Sequence, residues 1–301
     1  MFSLRDERKH YEERPSMIPT IRNDNPSFIQ ARAGLSDDRL RSLAPSVFAG
    51  SPLPGVSERY AFVPTAQIVS RLREAAWIPV SAFEQRVRLD ERRGFQKHML
   101  RFQRADVIPA RGEFTAELVL VNSHDRSSAY QLHAGLFRFV CGNGMIVADA
   151  TFERVSIRHS GFTPDEVTEA SFRILDQVPT ITANVEKFRS RILTSEESTA
   201  FARKALSIRF EQEESWPITP VKLLEPRRRE DYGDDLWHTF NRVQENLLQG
   251  GQRERGRFLA NGRRVPRTRA VTGLDQNVRI NKQLWELAQR LASGETLTLA
   301  E

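Results

Sequence analysis

The residues of this chain best suited to covalent chemistry are a single cysteine and the histidines near it. Cys141 shares one 30-residue stretch with His124 and His133, and His98 and Asp125 are further candidates. A thiol nucleophile needs an imidazole base and positive surroundings. Cys141 instead ends an apolar, alternating run, and no nucleophile signature surrounds it. We therefore interpret Cys141 as a packing residue.

A metal centre has equally little support in the sequence. His124, Asp125 and His133 do not have the spacing of a known ligand set, and their polar surroundings are typical of a turn. One cysteine excludes an internal disulfide, and also a zinc ribbon or iron–sulfur cluster built from this chain alone. The carboxylates around the strand-rich block show no two-metal spacing: Asp90, Glu91, Asp106 and Glu117. The sequence thus favours a non-enzymatic protein without a cofactor.

A second constellation is the segment 253–269, here called the arginine loop. It holds seven arginines against one acid, Glu254, and Gly256, Gly262 and Pro266 oppose regular structure in it. Flexible arginines can follow a phosphate backbone and release its counterions. The alternative is a solvated inter-helix loop. The candidate nucleic-acid-binding residues of the loop are Arg253, Arg255, Arg257, Arg263, Arg264, Arg267 and Arg269.

The basic residues as a whole are mostly arginine. Only six of the 45 basic residues are lysine, the net charge is +6, and the pI is about 9.8. Guanidinium groups bind phosphate in a bidentate manner and stack on bases, so a polyanionic partner fits this composition. In the strand-rich block, arginines alternate with phenylalanines, which predicts a stacking platform; ordinary amphipathic strands are the alternative. The platform candidates are Arg86, Arg88, Arg101 and Arg138.

The order of predicted elements is that of an α+β protein. Strand-like segments fill the N-terminal half and helices the C-terminal half, which predicts an antiparallel β-meander with a packed helix, followed by a helical part. We predict a mobile N-terminal arm at 1–40, a β-rich core domain at 41–160, and a helical region at 161–301. The helical region contains a flexible arginine-rich loop at 250–270.

Four local signals place particular elements. Pro64 and Thr65 open a helix with Ile68, Val69 and Leu72 on one face. A helical pattern at 163–193 is interrupted at Pro179. Asn143-Gly144 predicts a hairpin turn, and the last helix is predicted at 281–292.

The remaining composition limits the setting of the protein. No apolar run approaches the roughly 20 residues that cross a bilayer, so we expect no membrane partner. The N-terminus mixes acids and bases without an apolar region, which argues against a secretory signal. We expect a cytoplasmic protein.

Several long segments resemble one known family. They are SERYAFVPT (57–65), KHMLRF (97–102), LVNSHDRSSAYQLHAGLFRFVCGNGMIV (120–147), DLWHTFNRVQENLLQGG (235–251) and TRAVTGLDQNVRINKQLWELA (268–288). Through these segments the chain is similar to the YfjQ/YafZ/YubP family of plasmid- and prophage-encoded proteins, a family of unknown function. The resemblance implies a mobile genetic element and a cytoplasmic location, and it supplies no catalytic residues.

The element order also resembles that of the single-strand-annealing recombinases. That resemblance implies an oligomer that holds single-stranded DNA without ATP. The leading hypothesis is therefore a non-enzymatic nucleic-acid-binding protein that binds or anneals single-stranded DNA and forms a homo-oligomer. The alternative is a protein-binding inhibitor of a host defence or regulatory complex.

Overall fold

The structure is a computed structural model, and its elements can be described for most of the chain. The described residues are 29–30, 34–56, 60, 62–104, 114–138, 144–146, 155–157, 164–213, 216–254, 256, 262 and 264–297.

The described strands form one antiparallel sheet. Its order is β1-β2-β3-β4-β5-β6, and β7 pairs with β5 beside β6. Neighbouring strands are mostly consecutive in sequence, so the predicted antiparallel meander is confirmed. The strands are β1 (Ile29–Gln30), β2 (Trp77–Glu84), β3 (His98–Arg104), β4 (Phe114–Asn122), β5 (Tyr130–Arg138), β6 (Gly144–Ile146) and β7 (Val155–Ile157).

The pairing of β5 with β6 corrects one local prediction. Gly144 is a strand residue opposite Phe137, and not a turn residue. Asn143 and Cys141 lie outside the described residues. An Asn-Gly pair signals only that a turn is locally easy, and strand pairing has taken the glycine into the sheet here.

Helices cover both faces of the sheet. The break near Pro179 is confirmed, because α3 and α4 are separate helices with Gln177 between them. The helices are α1 (Asp37–Leu43), α2 (Thr65–Glu74), α3 (Pro164–Asp176), α4 (Val178–Ser190), α5 (Ser195–Arg209), α6 (Pro220–Leu223), α7 (Leu236–Gln249) and α8 (Leu274–Ala292).

One hydrophobic cluster runs through the sheet and the helices. It joins Leu120 of β4 to Trp237 of α7 and Trp285 of α8. Leu40, the last residue of the predicted N-terminal arm, is fully buried in α1 and belongs to the same cluster. Residues 1–28 and 31–33 lie outside the described residues. The packing is thus continuous across the predicted boundary at residues 160 and 161.

The second face of the sheet is covered by the first two turns of α8. Leu274 and Val278 pack on a smaller cluster that includes Met99 and Val121. The ammonium group of Lys97 lies 2.6 Å from a carboxylate oxygen of Asp275. The predicted start of this helix, residue 281, is therefore seven residues too late.

A buried polar cluster joins α2 to the sheet. The hydroxyl of Thr65, the first residue of α2, lies 3.0 Å from Nε2 of His98 and 3.2 Å from Nε2 of His124. Asn122 donates to the same hydroxyl oxygen at 3.0 Å. On the other side, Nδ1 of His98 lies 3.2 Å from the carbonyl oxygen of Gln96. The same nitrogen lies 2.8 Å from the hydroxyl of Ser46, so both ring nitrogens of His98 have hydrogen-bond partners within the cluster.

This cluster makes stability depend on pH. Burial, together with the nearby His124, lowers the pKa of His98 from 6.5 to about 3. The unfolded chain binds a proton below pH 6.5 and the folded protein does not, so stability falls as pH falls from about 6.5 towards 3. We expect His98 to lower the free energy of unfolding by about 1.4 kcal/mol per pH unit in that range. Urea denaturation at pH 7.5 and 5.5 measures this loss, which the His98→Gln variant should lack. A His98 proton NMR signal that titrates near pH 6.5 in the native protein would contradict the expectation.

Candidate nucleic-acid interface

Two paired chain segments, here called legs, connect the arginine loop to the helical part of the protein. The first leg, 251–254, follows α7, and the second leg, 264–270, precedes α8. The amide of Gly251 donates to the carbonyl of Thr268 at 2.7 Å, and the amide of Thr268 donates to the carbonyl of Gln252 at 2.8 Å. The root of the predicted flexible loop is therefore held by main-chain hydrogen bonds.

A glycine at the end of α7 allows the two legs to approach. Gly250 has φ +62°, and a Cβ atom there would lie 2.5 Å from the carbonyl carbon of Arg269. No other residue fits without moving the second leg. Gly250 thus ends α7 and also sets the spacing of the legs.

Four of the seven candidate arginines of the loop are described by the structure. Arg264, Arg267 and Arg269 are exposed and Arg253 is half-buried. Arg267 donates to the carbonyl of Gly251 at 3.0 Å. Within the described part of the chain, none of the four forms an ion pair with a carboxylate. The other three candidates lie outside the described residues: Arg255, Arg257 and Arg263.

Several surface arginines elsewhere are neutralised by a carboxylate. Arg71 pairs with Glu74, Arg203 with Glu213, and Arg290 with Glu295. Exposed Arg86, Arg88 and Arg279 also have no carboxylate partner among the described residues. The legs are therefore set apart by how closely their unpaired arginines follow one another in sequence. An anion that reaches them meets cations whose charge is not already balanced.

A further arginine reaches the root of the loop from a distant part of the chain. Arg209, at the end of α5, donates to the carbonyls of Leu247 and Arg269. Arg279 of α8 donates to the carbonyl of Ile208 in the last turn of α5 at 3.1 Å. Both guanidinium groups thus stabilise the carbonyl end of a helix. Arg209 could not be predicted as a contact of the loop, because only the tertiary fold brings it there.

The neighbouring arginine run 227–229 is largely structural. Arg227 donates to the carbonyl of Gly250 at 2.5 Å and to the side chain of Asn246 at 2.6 Å. Burial lowers the pKa of Arg227. Arg228 pairs with the buried carboxylates of Asp231 and Glu245. Arg227 and Arg228 therefore anchor α7, whereas Arg229 is exposed.

The platform predicted on the strands is only partly present at the surface. Arg86 and Arg88, which follow β2, are exposed. Arg101 does not lie on the surface as that prediction requires, because its side chain is only 3% exposed. Its Nε donates to Glu117 at 2.5 Å. The side chain of Arg138 lies outside what the structure describes.

The cysteine–histidine constellation does not form a described site. His98 and His124 meet at Thr65, whereas His133 lies 3.2 Å from the side chain of Gln131. Asp125 accepts from the amide of Ser127 within its own turn, at 3.0 Å. Over the described ranges, no three His, Cys, Asp or Glu side chains are grouped to hold a metal ion. No helix of the described residues is long and apolar enough to span a membrane.

Comparison with known proteins places the chain among relatives of unknown function. Residues 52–285 match the family described as "Domain of unknown function (DUF932)". The chain is 36% identical over 271 residues to "UPF0380 protein YafZ" of Escherichia coli (strain K12), which covers 90% of this chain and 93% of that protein. "UPF0380 protein YfjQ" of the same strain is similar to the same extent. No solved structure matches the chain. The length of the family match and the extent of both alignments establish that this chain belongs to the DUF932 family.

Proposed function

We propose that this protein binds nucleic acid through the arginine loop. The observation that carries the proposal is the set of exposed loop arginines without a described carboxylate partner, at Arg264, Arg267 and Arg269, with half-buried Arg253 beside them. Free guanidinium groups are suited to phosphate, because the planar fork of donors matches two phosphate oxygens. The function is binding without catalysis.

The paired legs also favour binding to an extended polyanion. Arg267 and Arg269 alternate with Thr268, whose amide and carbonyl hold the first leg. The main chain of the legs is therefore ordered before a ligand arrives, which reduces the conformational entropy lost on binding. Single-stranded DNA is the proposed ligand, because the order of the elements resembles that of the single-strand-annealing recombinases. Duplex DNA and RNA of matched sequence are the alternative ligands.

A salt titration tests the proposed function. Fluorescence anisotropy with a labelled single-stranded oligonucleotide, its duplex and its RNA counterpart gives affinity at several salt concentrations. We expect binding at about 50–100 mM salt and a linear fall of the logarithm of affinity with the logarithm of salt. Affinity that is independent of salt, or no binding in this range, would contradict the proposal. The ranking of the three probes identifies the preferred strand type.

A further inference from the structure

The only acid in the arginine loop is bound to the body of the protein. Glu254 lies between Arg253 and Arg255 in sequence. Its Oε2 atom accepts from the amide of Thr219 at 2.9 Å and from the hydroxyl of Thr219 at 3.0 Å. In the described part of the chain its carboxylate forms no ion pair. Its contacts are those of an anchor for the first leg.

The partner of Glu254 belongs to a fixed part of the fold. Thr219 caps α6, since its hydroxyl oxygen accepts from the amide of Lys222 at 3.3 Å. Leu223 of α6 is fully buried, and Asn246 of α7 donates to its carbonyl oxygen at 2.7 Å. The first leg is therefore tied to α6 and, through it, to α7.

The two legs have separate anchors of opposite charge. The second leg is held by Arg209, which donates to the carbonyl of Arg269. The first leg has Glu254 as its side-chain anchor to the body. An acid in a phosphate-binding loop is unfavourable by charge alone, so a separate function is needed to account for it.

We propose that Glu254 is a positioning residue for the polyanion site, and this inference rests on the proposed function. By binding Thr219 it holds the first leg against α6 and fixes Arg253 beside the second leg. Its negative charge lowers the affinity for a polyanion, whereas its hydrogen bonds raise that affinity by ordering the first leg. The two effects have opposite signs and can be separated by substitution.

Two variants at one position separate the effects. Glu254→Gln keeps an oxygen that accepts from Thr219 and removes the charge, so we expect affinity equal to or about two-fold above that of the native protein. Glu254→Ala removes the charge and the anchor. We expect it to bind about 3- to 10-fold more weakly than Glu254→Gln, which is the loss of one or two neutral hydrogen bonds. The salt slope should be the same in both variants, because neither removes a phosphate contact.

A matched acid provides the control. Glu286 is exposed on α8, and its Gln and Ala variants should bind equally well. Equal affinity of Glu254→Ala and Glu254→Gln would overturn the positioning role while the native protein still binds. Failure of the native protein to bind any probe would instead overturn the proposed function, together with the inference built on it. Hydrogen exchange at the amides of Gly251 and Gln252 should quicken in Glu254→Ala only.

Discussion

Replacing Arg253, Arg264, Arg267 and Arg269 together with glutamine is expected to lower the affinity for single-stranded DNA about 600-fold at 0.1 M salt. For a single strand, each phosphate contact contributes a slope of about 0.7 in the logarithm of affinity against the logarithm of salt. The salt slope should therefore fall by about 3, and by about 3 to 4 for the duplex. Anisotropy titrations at three or more salt concentrations measure both quantities.

A charge-matched variant shows whether the effect belongs to the loop. Arg71, Arg189, Arg203 and Arg290 are surface arginines that each pair with a glutamate. Changing these four to glutamine alters the net charge by the same amount. We expect less than about a ten-fold loss, since their charges are already balanced and their effect is screened by salt. Equal losses in the two quadruple variants would mean that total charge, and not the arginine loop, governs binding.

Removing the carboxylate of Glu117 is expected to lower the free energy of unfolding by about 3–5 kcal/mol, because the buried guanidinium of Arg101 is left without its carboxylate partner. Both side chains are almost inaccessible, at 3% for Arg101 and 1% for Glu117. Gln103 donates to the second oxygen of Glu117 at 2.8 Å. Urea denaturation of the Glu117→Ala variant at pH 7 measures the loss.

The double variant Arg101→Met/Glu117→Leu is the control for this pair. Replacing both charges by apolar groups of similar size should restore most of the stability. The double variant should also keep the native salt slope for DNA, because Arg101 does not reach the surface. A double variant as unstable as Glu117→Ala would show that the pair stabilises the sheet in its own right. A reduced salt slope would show that Arg101 contacts DNA.

Elements with a strong periodic pattern could be predicted from the sequence. Ile68, Val69 and Leu72 mark one face of α2, and all three are buried there. The end of α7 at Gly250 was also predictable, since a glycine there is a common helix stop. The first two turns of α8 could not be predicted, because polar residues surround Leu274 and Val278 in the sequence. These two residues face the second face of the sheet.

Burial of charge could not be predicted from one strand alone. An arginine in an alternating strand suggests a solvated face, yet five consecutive residues of β3, from His98 to Phe102, are buried. Arg101 is balanced by Glu117, a residue of the next strand placed diagonally to it. The same holds for the root of the arginine loop. Its sequence shows the charge, but Arg209 and Thr219 reach it only through the packing of α5 and α6.

The position of α8 over the second face of the sheet has a consequence for synthesis on the ribosome. Met99 and Val121 emerge about 150–180 residues before Leu274 and Val278, which cover them. At about 5–20 residues per second, this face of the sheet stays uncovered for roughly 8–36 seconds. During that interval the nascent chain presents apolar strands that α8 cannot yet shield. Chaperone dependence should therefore be greatest for chains interrupted before residue 274.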